Sequence, residues 1–282
     1  AVVWEAGQPL SLETIQVSPP QPKEVRIKIT HTSLCHTDIF FWKGKDGGAW
    51  FPRILGHEGA GVVESVGNEV AGLKPGDHVI PSYMAECREC ELCMRGNTNI
   101  CEVFRFNFMS GVAYSDHKCR FSISGKPVHH FFGLSTFSEY TVVHSSCVAK
   151  VNPESPLDTI CLLGCGVSAG FGAAWNIGKV KPGDSVAVFG LGTIGLAVIK
   201  EMTNGGVDSS YECVGNVEVM LTVLQSAHPV WGRAVILGID EIGKKLCFSP
   251  LELHDGRKLK LAPFGGFKVS DVSKLVDKFM NN

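Results

Sequence analysis

The chain has 282 residues, 44% hydrophobic and 19% charged, which supplies apolar material for about two domains and too little charge for disorder. A formal charge of −2 and a pI near 6.6 speak against a nucleic-acid or anionic-membrane surface. No apolar run approaches the roughly 20 residues of a membrane span, and no basic region with an apolar h-region opens the chain. Residues 1–80 read as β-rich. The run 25–30 (VRIKIT) alternates, 59–66 (GAGVVESV) is strand-like, and Gly67-Asn68, Gly72 and Pro75-Gly76-Asp77 punctuate them. Residues 107–136 carry little periodicity, with Gly111, Gly125 and Pro127 as breakers, and a second β stretch is expected over 137–151. After Pro153 and Pro156 the pattern becomes α/β. A Gly/Ala-rich helical run covers 162–177, an apolar strand 185–189, a helix 193–202, a later strand 207–214 and a helix 272–280.

Between the β-rich part and the rest lies Cys87-x2-Cys90-x2-Cys93-x7-Cys101, set among polar, loop-forming residues. Thiolates three apart can converge on one ion, and a fourth can return to close a tetrahedral sulfur site. The four-iron ferredoxin run shares the first two spacings, but its fourth cysteine follows after x3 and precedes Pro. Here the gap is x7 and Glu102 follows, so the loop reads as a closed structural zinc site. Eleven cysteines, an odd number with a metal-type cluster, read as reduced thiols in a cytosolic setting.

Two further patterns carry chemistry. Gly190-Leu191-Gly192-Thr193-Ile194-Gly195 follows the apolar strand and opens the 193–202 run, the strand–turn–helix context that a dinucleotide fingerprint requires. The helix start would offer N–H donors and partial positive charge to phosphates. A dispersed set, Cys35-His36-Thr37-Asp38, Gly56-His57-Glu58 and Gly164-Cys165-Gly166, offers two thiolates and one imidazole from three segments. Three ligands with one open position are what a catalytic zinc takes, and Asp38 and Glu58 are candidate outer carboxylates. Taken singly, His57 reads as a hydrogen-bonded loop histidine and Cys165 as a small core residue.

The segments SLCHTD, PRILGHEG, the four-cysteine loop, KPVHHFFGLSTFSEYTVV, LLGCGVSAGFGAAW, GLGTIGL and EMTNGGVD closely resemble the zinc-dependent medium-chain alcohol dehydrogenases, plant members above all. The resemblance implies an α/β protein with a β-rich domain. Residues 1–166 would form a chaperonin-10-like, partly open β-barrel catalytic domain with the zinc lobe at 87–101. Residues 167–263 would be a Rossmann-type dinucleotide-binding domain, and 264–282 the start of a return segment. It implies two Zn²⁺ per subunit, one held by Cys35, His57 and Cys165 and one by Cys87, Cys90, Cys93 and Cys101. Thr37 would take the alcohol proton. His36, Gly190, Gly192, Thr193, Ile194, Gly195, Leu237, Gly238 and Ile239 would contact NAD, and Tyr83, Phe131 and Phe132 would line the pocket for a small alcohol or aldehyde. A cytoplasmic homodimer is implied, without nucleic-acid or membrane partners.

Two departures from the family stand out. Phe40 occupies the position where many members carry a proton-relaying histidine. After 196–200 (LAVIK) the chain passes directly to 201–208 (EMTNGGVD), where the family has a long stretch with the second Rossmann strand and the aspartate that grips the adenosine ribose. Spacing alone nominates Asp208 or Glu212 as that acid; the family alignment makes 207–214 a later strand instead. A parallel sheet without its inner strands would expose apolar faces and edges, which favours a fuller protein over a real deletion. Arg105 suits an anionic substrate tail, as in the glutathione-dependent formaldehyde dehydrogenase branch. A zinc-binding remnant without redox activity is the contrasting class.

Overall fold

Alternation along residues 25–30 sends Val25 and Ile27 into a core where neither is exposed, while Lys28 faces solvent. The computed structural model describes residues 1–45, 50–105, 109–190, 192, 194 and 206–281, so the helix expected over 193–202 lies outside them apart from Ile194. Contacts divide the chain into two units, Ala1–Cys165 with Lys268–Asn282, and Gly166–Phe267. The resemblance sets these divisions at 166/167 and 263/264.

In the first unit, strands β1 (Gln16–Val17), β5 (Phe121–Ile123) and β6 (Lys126–Val128) form a small antiparallel sheet. A larger antiparallel sheet runs in the order β7 (Tyr140–His144), β2 (Glu24–Ser33), β3 (Glu58–Val66), β4 (His78–Pro81), β8 (Val148–Lys150). The single β stretch expected over 137–151 is interrupted by a 3-10 turn, Ser145–Cys147. Its two halves lie on opposite edges of the sheet, β7 on β2 and β8 on β4. A three-residue turn can join opposite edges only if the sheet curls round on itself, which gives the half-barrel. Irregular register between β2 and β3 at Arg26/Ile27 and Ile29/His31 supplies local bends of the kind curvature needs. Gly61 allows the close crossing, since a Cβ there would collide with the Lys28 carbonyl. The helices α1 (His36–Trp42), α2 (Glu91–Arg95) and α3 (Leu157–Ile160) decorate the barrel, and α6 (Val269–Met280) returns to it after the second unit.

The second unit is α/β. The run expected as one helix over 162–177 is a 3-10 turn (Cys161–Gly164), then α4 (Gly166–Gly172), then a π-turn (Ala173–Gly178). Strands β9 (Val186–Phe189), β10 (Ser209–Glu212), β11 (Arg233–Ile236) and β12 (Lys258–Leu261) form a parallel sheet in the order β12-β11-β10-β9. Alternate residues serve opposite faces. Tyr211 and Val235 pack with Ala173, whereas Ala234 and Ile236 pack with Met220, Val223 and Leu224 of α5 (Val217–Ser226). Asn216 caps α5, its side chain accepting from the amides of Glu218 and Val219. No single helix among the described residues is long and apolar enough to cross a membrane.

Candidate metal centres

The first centre gathers three distant segments of the first unit. Cys35 precedes α1, and its amide donates to Asp38 Oδ2 at 2.9 Å, which holds the start of the helix. Asp38, 1% exposed, uses Oδ1 to accept from the Gly56 amide at 3.0 Å and to bond His57 Nδ1 at 3.1 Å. This fixes the ring and turns Nε2 inward. His57 is fully buried, and its Nε2 has no hydrogen-bond partner. Cys165 arrives because Gly164 lets its turn lie against β3; a Cβ there would approach Glu58 Cα to 3.3 Å. Ligand atoms of Cys35, His57, Glu58 and Cys165 all fall within 4.8 Å of one another. Thr37 Oγ1 lies 3.6 Å from Cys35 Sγ.

The electrostatics suit a cation. A hydrogen bond with Cys165, helped by His57 and opposed by burial, lowers Cys35 to about 3. The same contact and burial push the Cys165 thiol well up. Burial depresses the His57 imidazolium, but the Asp38 carboxylate and Cys35 outweigh it and hold the pKa at about 10. A buried nitrogen with no partner, facing two sulfurs, fits Zn²⁺, which takes thiolate and imidazole ligands. The ring edges of Phe131 and Phe132 approach the imidazole with centroids 5.6 and 5.5 Å away, and Tyr83 stands at 6.2 Å.

The second centre is the four-cysteine loop. Cys90 begins the one-turn helix α2, its sulfur accepting from the Cys93 amide at 3.5 Å, and Gly96 ends it in the left-handed region. Cys87 Sγ accepts from the Cys90 amide at 3.3 Å. Sγ–Sγ distances are 3.9 Å for Cys87–Cys93 and for Cys90–Cys101. That is far beyond a disulfide and near the edge of about 3.8 Å of a tetrahedron with 2.3 Å metal–sulfur bonds. Hydrogen bonding from the Cys93 amide lowers Cys90 to about 6, while burial raises Cys93 to about 12. Four thiols this close cannot all ionise unaided, so their geometry also fits a bound cation.

A profile of the alcohol dehydrogenase GroES-like domain matches residues 21–153. The class-3 alcohol dehydrogenase of Oryza sativa subsp. japonica is 48% identical, over all of this chain and 86% of the relative. Alcohol dehydrogenase 1 of Pisum sativum is 44% identical, over 99% of this chain and 86% of the relative. The chain belongs to the zinc-dependent medium-chain alcohol dehydrogenase family, and it is an oxidoreductase. The crystal structure of benzyl alcohol dehydrogenase from Acinetobacter calcoaceticus superposes with a TM-score of 0.89 at 26% identity, over all of this chain and 88% of that one. The rice alignment runs over 328 positions against the 282 residues here, so the relative carries stretches with no counterpart among these residues.

In this alcohol dehydrogenase, the residues expected to meet the cofactor fall in two places. His36 is exposed at the start of α1 in the first unit. Gly190, Leu237, Gly238 and Ile239 follow the carboxyl ends of β9 and β11 in the second unit, the end at which α/β sheets bind ligands. Gly190 has φ +101°, and a Cβ there would press on Val214 and Cys213 at 3.0–3.1 Å, so the turn needs glycine. Gly192 and Ile194 follow, while Thr193 and Gly195 lie outside the described residues. Neither acid nominated by spacing is placed to grip a ribose. Asp208 is tied to Ser185 and Trp231 at the amino end of β10. Glu212, fully buried, binds the amides of Val214, Gly215 and Gly238.

Sequence reasoning missed the anchors of the four-cysteine loop. Lys268 Nζ donates to the Cys93 carbonyl at 2.8 Å and lies 3.6 Å from Glu86, which also accepts from the Ser270 amide at 3.4 Å. The start of α6 therefore clamps the loop. With Lys268 and Cys93 separated by 175 positions, no local pattern could have signalled it.

Proposed function

We propose that the chain interconverts a primary or secondary alcohol and its aldehyde or ketone, transferring hydride to NAD, with one zinc at each of the two centres. The carrying observation is the buried, partnerless His57 Nε2 facing Cys35 and Cys165. Zinc held there by Cys35, His57 and Cys165 would acidify the alcohol hydroxyl, and NAD at the glycine turn after β9 would accept the hydride. Thr37, beside Cys35, would take the hydroxyl proton, and with Phe40 where many members carry a relaying histidine that proton would have to pass to water. Asp38 keeps His57 in the ligand tautomer, and Glu58 sits close enough to modulate the metal. Phe131, Phe132 and Tyr83 keep water from the reacting carbon and favour apolar substrates. The four-cysteine zinc is structural, since all four positions are filled by protein.

A cytoplasmic homodimer is part of this reading. All eleven cysteines are free, in keeping with a reducing compartment, and β12 is a sheet edge with Leu261 73% exposed. The test is metal analysis together with alcohol-dependent NADH formation. Two zincs per chain, saturable NADH binding and turnover lost in Cys165→Ser are expected; two zincs with no saturable NADH binding would leave only a zinc-binding remnant. The glutathione-dependent formaldehyde branch is a second reading, favoured by the class-3 relatives at 46–48% identity and by the exposed Arg105. A glutathione-dependent rate gain on formaldehyde supports it, and no gain removes it.

A further inference from the structure

Residues 131–135 (FFGLS) turn where two apolar clusters meet. Phe131 and Phe132 pack with Phe41 and Leu55, whereas Leu134 packs with Val25, Ile27 and Tyr114. To divide near neighbours between two cores, the backbone enters the left-handed region at Phe132 (φ 53°), Gly133 (68°) and Ser135 (50°). That region is disfavoured for residues with a Cβ, so partners must hold Phe132 and Ser135 there. Ser135 is held by its own hydroxyl, which accepts from the Phe131 amide and donates to the Ile54 carbonyl, both at 2.9 Å. Phe132 is held from outside. The Tyr114 hydroxyl donates to its carbonyl at 2.9 Å, and the Tyr114 ring lies over Gly133, where a Cβ would sit 2.8 Å from ring carbons.

Tyr114 has a second attachment. Its ring packs on Phe104 at 5.7 Å, in the cluster that contains Cys93 and Cys101. On the other side of the turn, Phe132 stacks on Phe131 at 4.2 Å and meets Tyr83 at 5.4 Å and His57 at 5.5 Å. We propose that Tyr114 is a positioning residue that fixes the aromatic wall beside His57 and braces it against the four-cysteine loop. Its consequence for catalysis rests on the alcohol dehydrogenase reading: the wall sets how well the site distinguishes an aromatic alcohol from a small one.

Tyr114→Phe keeps the ring on Gly133 and Phe104 and removes only the O–H···O bond. In the zinc-loaded protein, hydrogen exchange of the 131–136 amides should rise about three- to tenfold, the worth of one neutral hydrogen bond, with zinc content unchanged. The ratio of kcat/KM for benzyl alcohol to that for ethanol should move by a similar factor, through KM. Unchanged exchange in 131–136, or an equal rise across the whole first unit, overturns the positioning role. A shift in kcat with the ratio unchanged overturns the selectivity role. If the unmutated protein oxidises no alcohol, the functional reading fails while the exchange experiment still decides the positioning of the wall.

Discussion

Asp38→Asn tests whether one carboxylate organises the first centre. Asp38 is buried and bonded to the Cys35 amide, the Gly56 amide and His57 Nδ1. An asparagine oxygen can serve at most one side of this fork; turned to Gly56 and His57, it leaves its NH₂ against the Cys35 N–H, donor to donor. One bond is lost, and the other two lose their charge. Bonds to a charged acceptor are worth about 1.5–3 kcal/mol against about 1 for neutral ones, so the total deficit is roughly 3–7 kcal/mol. Part of that falls on the fold and part on the metal, where loss of an outer partner weakens binding by about 10–100-fold. The assay is zinc retained against a graded series of chelator. The first zinc should be stripped at about 10–100-fold less chelator than in the unmutated chain, while the four-cysteine zinc stays. Superimposable stripping curves would refute the role given to Asp38, whatever happens to turnover.

Cys93→Ser should remove one zinc and lower the melting temperature by about 5 °C or more, since metal binding in a closed site is folding energy; an unshifted melt contradicts the structural role. Zinc entry at the first centre near neutral pH should release about two protons, from His57 held at about 10 and from the raised Cys165, Cys35 being ionised already. Calorimetry in buffers of different ionisation heat measures this, and no buffer dependence would contradict it. His130 is buried, and desolvation lowers it to about 3, so the unfolded chain binds one more proton between about pH 6.5 and 3. Its contribution is present in full above pH 6.5 and lost by up to about 1.4 kcal/mol per pH unit on acidification. His130→Gln should flatten the stability–pH curve over that window, and an identical slope would exclude the assignment.

The chemistry was more legible in the sequence than the mechanics. Candidate ligand residues announce themselves because a cation dictates residue type: four cysteines at short spacing, and a cysteine, a histidine and a cysteine among glycines. Strand β2 was legible because one face is buried and the other wet. Of what holds these parts in place, only Asp38 was legible, as a candidate outer carboxylate that the fold brings to His57 Nδ1. Lys268 and Tyr114 act across the fold through a backbone carbonyl, an acceptor that every residue carries. The break of the 137–151 stretch was equally silent. Val148 and Ala149 continue the apolar pattern of β7, and only the curl of the sheet separates the two strands.

The parallel sheet explains how a chain shorter than its relatives still gives a clear family likeness. In a doubly wound sheet of order 3-2-1-4-5-6, the first strand meets the fourth directly, and the second and third lie on its far side. Here β9 pairs in parallel with β10 along the whole strand, Val186 with Ser209 through Phe189 with Glu212, and β10 continues to β11 and β12. Read in that order, the four strands are the first, fourth, fifth and sixth. In that reading, the half of the sheet from the fourth strand onward, with the first strand beside it, is built from segments present in the chain. Among the described residues no strand lies on the far side of β9, and Ala187, Val188 and Phe189 are only half-buried, as an edge requires. Within the second unit, the pairing of β9 with β10 and the glycine turn at Gly190 are thus formed by segments present in the chain.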